Sequence, residues 1–248
     1  ASVPPPPADL AAAYAAALAP LAFGEWDSAA SPSAYARTLA AQSLPPGSAL
    51  PRKAAKRIAQ ELRDLGAAGG LPLAPSASIF VRADPDRADR LRALVTGPEG
   101  TPYAGGCFVF DLLLPPAYPD VPPVMLLATT GGGRARFNPN LYADGKVCLS
   151  LLGTWHGTDE SEKWSATAAN VWRVLVSIQG MILVDDPYFN EPGADAVRGT
   201  PEGKAQAARY NAKLAANVVR YAMAAHLESP PAGFEDVVAA HFKLMRHK

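Results

Sequence analysis

Residues 137–157 read FNPNLYADGKVCLSLLGTWHG and hold one of the two cysteines in a chain of 248 residues. Asn138-Pro139-Asn140 lies upstream of Cys148, Asp144-Gly145 is a turn signal just before it, and small and apolar residues follow. A cysteine that only fills a core needs no such surroundings. One that performs chemistry needs an exposed sulfur with polar groups aimed at its acceptor. A thiol of ordinary pKa, near ~8.5, is ionised to a few per cent at neutral pH, which suffices for exchange with an activated thioester and suits attack on a peptide bond poorly. Asn140, eight positions before the cysteine, can donate its amide to an oxyanion on a carbonyl attached to the sulfur, and such a donor contributes ~3–4 kcal/mol in acyl transfer. Asp186, in the helix-breaking DDPYFNEPG, can hold or deprotonate an incoming amine. Cys148, Asn140 and Asp186 together describe acyl transfer from sulfur to nitrogen.

The quoted stretch sits inside a long irregular segment, about Gly131 to Lys163, rich in Gly, Asn-Pro and Asp-Gly. A loop of that length in a compact domain is either functional or disordered. Its apolar members, Phe137, Leu141, Leu149, Leu151, Leu152 and Trp155, argue for packed order. Upstream, RKAAKRIAQELRDL sets Ile58, Leu62 and Leu65 at helical spacing, with Gly66 and the Gly pair 69–70 as the stop. SIFVRA, LRALVTG, CFVFDLLLP and VMLLAT read as four strands of an antiparallel meander, separated by turn signals and the proline-rich YPDVPP. Downstream, three helices are expected. The first, capped by Ser165, carries Val171, Leu175, Ile178 and Ile182 on one face; the second carries Tyr210, Leu214, Val218 and Tyr221; the third carries Phe234, Val238, Phe242 and Met245. Strands and helices are segregated, so the fold class is α+β.

Residues 1–51 differ in composition. They are rich in Ala, Pro and Ser, with PPPP at 4–7 and a helix-prone run from Asp9 to Leu18. The expectation is an arm with short helices, packed through Leu18, Leu21, Phe23 and Trp26 on a main domain spanning 52–248; the proline run reads as a spacer, although it also suits a proline-binding partner. Lys plus Arg equals Asp plus Glu at 23 each, which gives no basic field for nucleic acid and no cue for an anionic membrane. Few cysteines point to a reducing compartment, cytoplasmic with nuclear also compatible. The chain starts with Ala1, as a processed chain or a piece of a longer one would. No Cys/His cluster has zinc spacing, so no metal is expected. His156 raises a Cys–His hydrolase reading of Cys148, but no third orienting group is apparent.

KRIAQELRDL, the run GPEGTPYAGGCFVFDLLLPPAYPDVPP and the NPN…GKVCLSLL…W loop resemble the ubiquitin-conjugating (UBC) fold over roughly residues 52–245. RFNPNLYADGKVCLSLLGTWHG, SIQGMILVDDPYFNEPG and RGTPEG are similar to its divergent subclass with extended loops, which includes large hybrid enzymes combining conjugating and ligase activities. The resemblance implies that Cys148 accepts ubiquitin as a thioester from the activating enzyme and passes it to a substrate lysine. It also implies that Asn140 is the oxyanion and loop-stabilising asparagine, and that Asp186 is the acid before proline that prepares the lysine. Lys53, Lys56 and Arg57 fall where the first helix meets the activating enzyme. No cofactor is expected, since ATP is used by the activating enzyme. Two departures stand out: Asn138 replaces the histidine of the family's His-Pro-Asn motif, and Asp120 replaces the aromatic on which RING ligases dock, so a non-standard ligase partner or a hybrid mechanism is expected. A non-catalytic scaffold with the same fold is the alternative.

Overall fold

Side-chain alternation along the strands decides which layer each residue meets. The structure, a computed structural model, describes residues 9–45, 47–155 and 162–246. The four expected strands are present as β3 (Ala77–Ala83), β4 (Arg90–Thr96), β5 (Cys107–Leu113) and β6 (Val124–Leu127), paired antiparallel in sequence order. Two short strands add to them. β1 (Phe23–Glu25) runs parallel to β3 at the sheet edge, and β2 (Leu73–Ala74) pairs with the start of β3. The arm therefore contributes a strand to the sheet it was expected only to lean on. Three residues that include a glycine carry no alternation to read, and β1 exists because the Ala22 and Ala83 carbonyls accept from Val81 and Trp26 at either end.

On one face of the sheet, Ile79, Val81, Ala93, Val95, Phe108 and Phe110 enter the main core. Helix α3 (Arg52–Gly66) brings Ile58 and Leu65 to that core, and α4 (Val171–Ser177), continued by a wider π-type turn Ile178–Ile182, brings Val174, Leu175 and Ile178. Helix α4 starts later than expected. Its cap is Asn170, whose side chain accepts from Arg173 N, while Ser165 organises the turn before it. The start is shifted by the buried Glu61 carboxylate, which accepts from Val171 N at 2.8 Å.

On the opposite face, Phe80, Leu94 and Val109 stand in register across three strands. They are covered by Tyr14 and Leu18 of α1 (Leu10–Leu18) and by Val237 and Val238 of α7 (Glu235–Met245). Between these lie a short α2 (Ala36–Ala40), the long α5 (Pro201–Asn217), its π-type continuation Val218–Ala224 and α6 (Ala225–Glu228). Of the arm's expected anchors, Leu18 and Trp26 are buried, and Leu21 and Phe23 are half-buried. Two buried arginines on this face hold the covering layer. Arg82 donates to the Leu21 and Gly233 carbonyls, and Arg92 pairs with Asp111 at 2.6 Å with its guanidinium 4.0 Å from the Trp26 ring centre. Ser33 of the arm donates to the same Asp111, which leaves that buried pair well satisfied. Among the described residues, no helix is long and apolar enough to cross a membrane. PPPP and His156 lie outside the described residues.

The two covering helices are joined by a titratable contact. His241 Nε2 lies 3.2 Å from the Gly105 carbonyl, which can only accept, so this nitrogen carries the proton; Nδ1 then accepts from the Tyr14 hydroxyl at 2.9 Å. Burial holds the His241 pKa below the ordinary histidine value of 6.5, and that of His226 for the same reason. The unfolded imidazole takes up a proton near 6.5 and the folded one only at lower pH. Their stabilisation is therefore complete above about pH 6.5 and is lost as pH falls below it. The unfolding free energy from urea titration should decline between pH 7 and pH 5, and His241→Gln should flatten the decline; a profile flat for the native chain contradicts this.

Candidate functional site

The loop before the cysteine is built around a buried amide. Asn138 is 0 % exposed. Its Nδ2 donates to the Tyr103 hydroxyl at 2.8 Å and to the Ile182 carbonyl at 2.7 Å, and its Oδ1 accepts from Asn140 N at 2.8 Å. Tyr103, on the connection between β4 and β5, donates in turn to the Phe137 carbonyl. Arg136 adds a second clamp, donating to the Asn138 and Pro139 carbonyls. Beyond the motif the chain folds back on itself: Leu141 bridges Val147, and Cys148 N donates to the Asn140 carbonyl at 2.9 Å. The tip is Asp144-Gly145, where Gly145 has φ +90° and a Cβ would collide with the Tyr35 ring. Only glycine fits there. Tyr35 belongs to the arm and donates to the Leu127 carbonyl, so the arm also abuts the cysteine loop.

After Cys148, a 3-10 turn Ser150–Leu152 ends at Gly153, and Thr154 ties back to Leu149 N and the Val147 carbonyl. Phe137, Leu141, Leu149, Leu151 and Leu152 are all buried, which bears out the packed order read from their apolar character.

The sulfur does not stand open as expected. Cys148 is 2 % exposed and forms part of the wall of a surface cavity of about 250 Å³. Trp155 and Glu162 line the same cavity, together with Asn140, Met181 and Asn190. Met181 is half exposed and Glu162 exposed, so the cavity's mouth lies at the surface. Cys107, by contrast, is sealed between β5 and the covering helices, where burial pushes its thiol up to about 12.

Asn140 is beside the cysteine, but its amide Nδ2 donates to the Cys148 carbonyl at 2.9 Å, so it braces the loop in this arrangement. Asp186 is not brought to the cavity. It is exposed and starts the 3-10 turn Pro187–Asn190. DDPYFNEPG contains two acid–proline pairs, and sequence reasoning took the first. The second is the one at the loop: Glu191 pairs with Arg136 at 3.3 Å, and Asn190, just before it, lines the cavity and donates to the Met181 carbonyl. The repeated acid–proline pattern was the signal that could have found these residues. Among the described residues, no group of His, Cys, Asp and Glu could hold a metal ion.

Residues 58–216 match the ubiquitin-conjugating enzyme family. The chain belongs to that family. Its UBC domain is 49% identical over 192 residues to the human dual E2 ubiquitin-conjugating enzyme/E3 ubiquitin-protein ligase BIRC6, covering 77% of this chain and 4% of that protein. It is 46% identical over 206 residues to probable ubiquitin-conjugating enzyme protein 17 of Caenorhabditis elegans (83% of this chain, 28% of that protein). It is 42% identical over 193 residues to probable ubiquitin-conjugating enzyme E2 R521 of Acanthamoeba polyphaga mimivirus (78% and 13%). The chain thus spans less than a third of the length of each of these relatives.

The basic residues of α3 in this UBC domain have divergent surroundings. Lys53 and Lys56 are exposed, and Lys53 is ion-paired with Asp120 at 2.5 Å. Arg57 is turned inward. It donates to Glu61 and to the Ala166 and Ala169 carbonyls, so it fastens α3 to the segment leading into α4. Glu61 also accepts from the Tyr118 hydroxyl. Breaking a buried pair leaves an uncompensated charge, at a cost of ~3–5 kcal/mol, whereas an exposed pair contributes ~1 kcal/mol or less. Arg57→Ala should accordingly lower the unfolding free energy by about 3 kcal/mol and Lys53→Ala by under ~1 kcal/mol in denaturant titrations; equal effects contradict an internal role for Arg57.

Proposed function

We infer that Cys148 accepts ubiquitin as a thioester from the activating enzyme and transfers it to a lysine of a substrate protein. The observation that carries this reading is the position of Cys148, in the wall of a surface cavity and on a loop whose backbone is fixed on both sides of the sulfur. In loading, the Cys148 thiolate attacks the thioester carbonyl held by the activating enzyme; one C–S bond forms as another breaks, with little change in bond energy. In transfer, the lysine nitrogen adds to the new thioester and sulfur leaves. Asn140 serves both states: it holds the Cys148 carbonyl at rest, and its amide turns to the oxyanion as the tetrahedral intermediate forms. Entry of the ubiquitin tail requires the cavity to widen at the sulfur, given its small exposure.

Lys53 and Lys56, exposed on α3 as are Arg52 and Arg63, are the cations that meet the activating enzyme. The reaction on this chain needs no cofactor of its own, ATP being consumed upstream. The cytoplasm or nucleus is the setting in which a free thiol persists. The relative named a dual conjugating enzyme and ligase, and an acid at position 120 paired with Lys53, support a hybrid mechanism over docking of a standard RING ligase.

With activating enzyme, ATP and ubiquitin, the chain should form an adduct that a thiol reductant removes, and Cys148→Ser should form one that it does not. No adduct under conditions that load a control conjugating enzyme would falsify the reading in favour of a scaffold. Asn140→Ala should slow discharge to lysine by about 10²-fold and loading far less. Equal losses in both steps would mean collapse of the loop instead.

A further inference from the structure

The transfer step needs a group to receive the lysine ammonium and take its proton, and the acid expected to do so is elsewhere. Asp186 does not line the Cys148 cavity. The other nearby acids are occupied: Asp185 accepts from Asp186 N, Glu191 pairs with Arg136, and Asp144 accepts from Lys146 N. Among the described residues one carboxylate does line the cavity, that of Glu162. It is exposed, and it has neither a hydrogen bond nor an ion pair among those residues. The backbone just after it is anchored. Two residues on, Trp164 donates its indole N–H to the Pro119 carbonyl at 2.7 Å and packs against the Tyr118 ring at 5.6 Å between centroids. Asn190 shares the cavity; its amide nitrogen is engaged with Met181, which leaves its oxygen free to accept.

We propose that Glu162 receives the substrate lysine at the Cys148 thioester, its carboxylate binding the incoming ammonium and taking one proton from it. The idea rests on the thioester reading above and adds the identity of the residue that selects and activates the nucleophile. A carboxylate is matched to a cationic amine, and at neutral pH a lysine of ordinary pKa near ~10.4 arrives almost wholly protonated. Once the proton passes to Glu162, the freed nitrogen lone pair adds to the thioester carbonyl carbon. The C–S bond then breaks with its electron pair left on the Cys148 sulfur. The second proton shed by the nitrogen returns to that thiolate, and the proton on Glu162 goes to water, which restores the starting site.

The test is single-turnover discharge of ubiquitin preloaded on the full chain, to free lysine and separately to hydroxylamine. Hydroxylamine is largely uncharged at pH 7 and needs no acceptor for an ammonium. Glu162→Gln should lower the ratio of lysine to hydroxylamine discharge by at least tenfold at pH 7. Glu162→Asp should recover part of it, and raising the pH to 9.5 should narrow the gap as lysine deprotonates in solution. An unchanged ratio overturns the proposal, and so does an equal slowing with both nucleophiles, which would make Glu162 a brace of the loop. Failure of the native chain to load ubiquitin at all would instead sink the thioester reading, so the two failures are distinguishable.

Discussion

One buried side chain, Asn138, joins three parts of the fold that share no sequence neighbourhood. Its amide nitrogen donates to the Tyr103 hydroxyl on the β4–β5 connection and to the Ile182 carbonyl at the end of the π-type turn after α4, and its oxygen accepts from Asn140 N in the loop itself. A buried amide without partners costs several kcal/mol, so the loop has one arrangement in which all these groups are satisfied, and any shift exposes the deficit. That arrangement sets Asn140 opposite Cys148 through two reciprocal hydrogen bonds, which in turn decides where the sulfur meets the cavity. Histidine is usual at this position in the family, and the asparagine does the same work of bracing with a shorter side chain and one more partner than a neutral imidazole can hold.

The sheet gives the loop its platform. Burial on both faces of β5 makes the strand rigid, and the core below it reaches Phe137, Leu141 and Val147 directly. The arm matters to the site through one contact: Tyr35 fills the place a side chain at Gly145 would need, so the tip of the cysteine loop is pressed between the arm and β6. Arg82 and Arg92 extend this dependence to the carboxy-terminal helices by gripping backbone carbonyls of the arm and of the turn before α7.

Strands and helices were legible because apolar spacing alone specifies them: all four strands of the meander and the faces of α3 and α7 lie where period and turn residues put them. That Asn140 and Cys148 adjoin was legible from the Asp144-Gly145 turn between them, which folds the chain back on itself. The rest depended on tertiary partners. Arg57 and Glu61 look like an exposed helical pair until Tyr118, Ala166 and Ala169 arrive around them. Asp186 and Glu191 are equivalent in sequence, each before a proline, and only the position of Arg136 distinguishes them. The burial of the Cys148 sulfur, and the place of Trp155 and Glu162 in its cavity wall, have no local pattern that announces them.

Amide hydrogen exchange, compared between the native chain and Asn138→Ala, tests the governing role of that side chain most directly. Loss of its hydrogen bonds should remove ~2–3 kcal/mol of local protection. Exchange across 137–149 and 182–190 should then quicken at least tenfold while β3, β4 and the α1–α7 layer keep their protection. Unaltered protection at 137–149, or an equal loss throughout the sheet, would show that the loop is held by something other than Asn138.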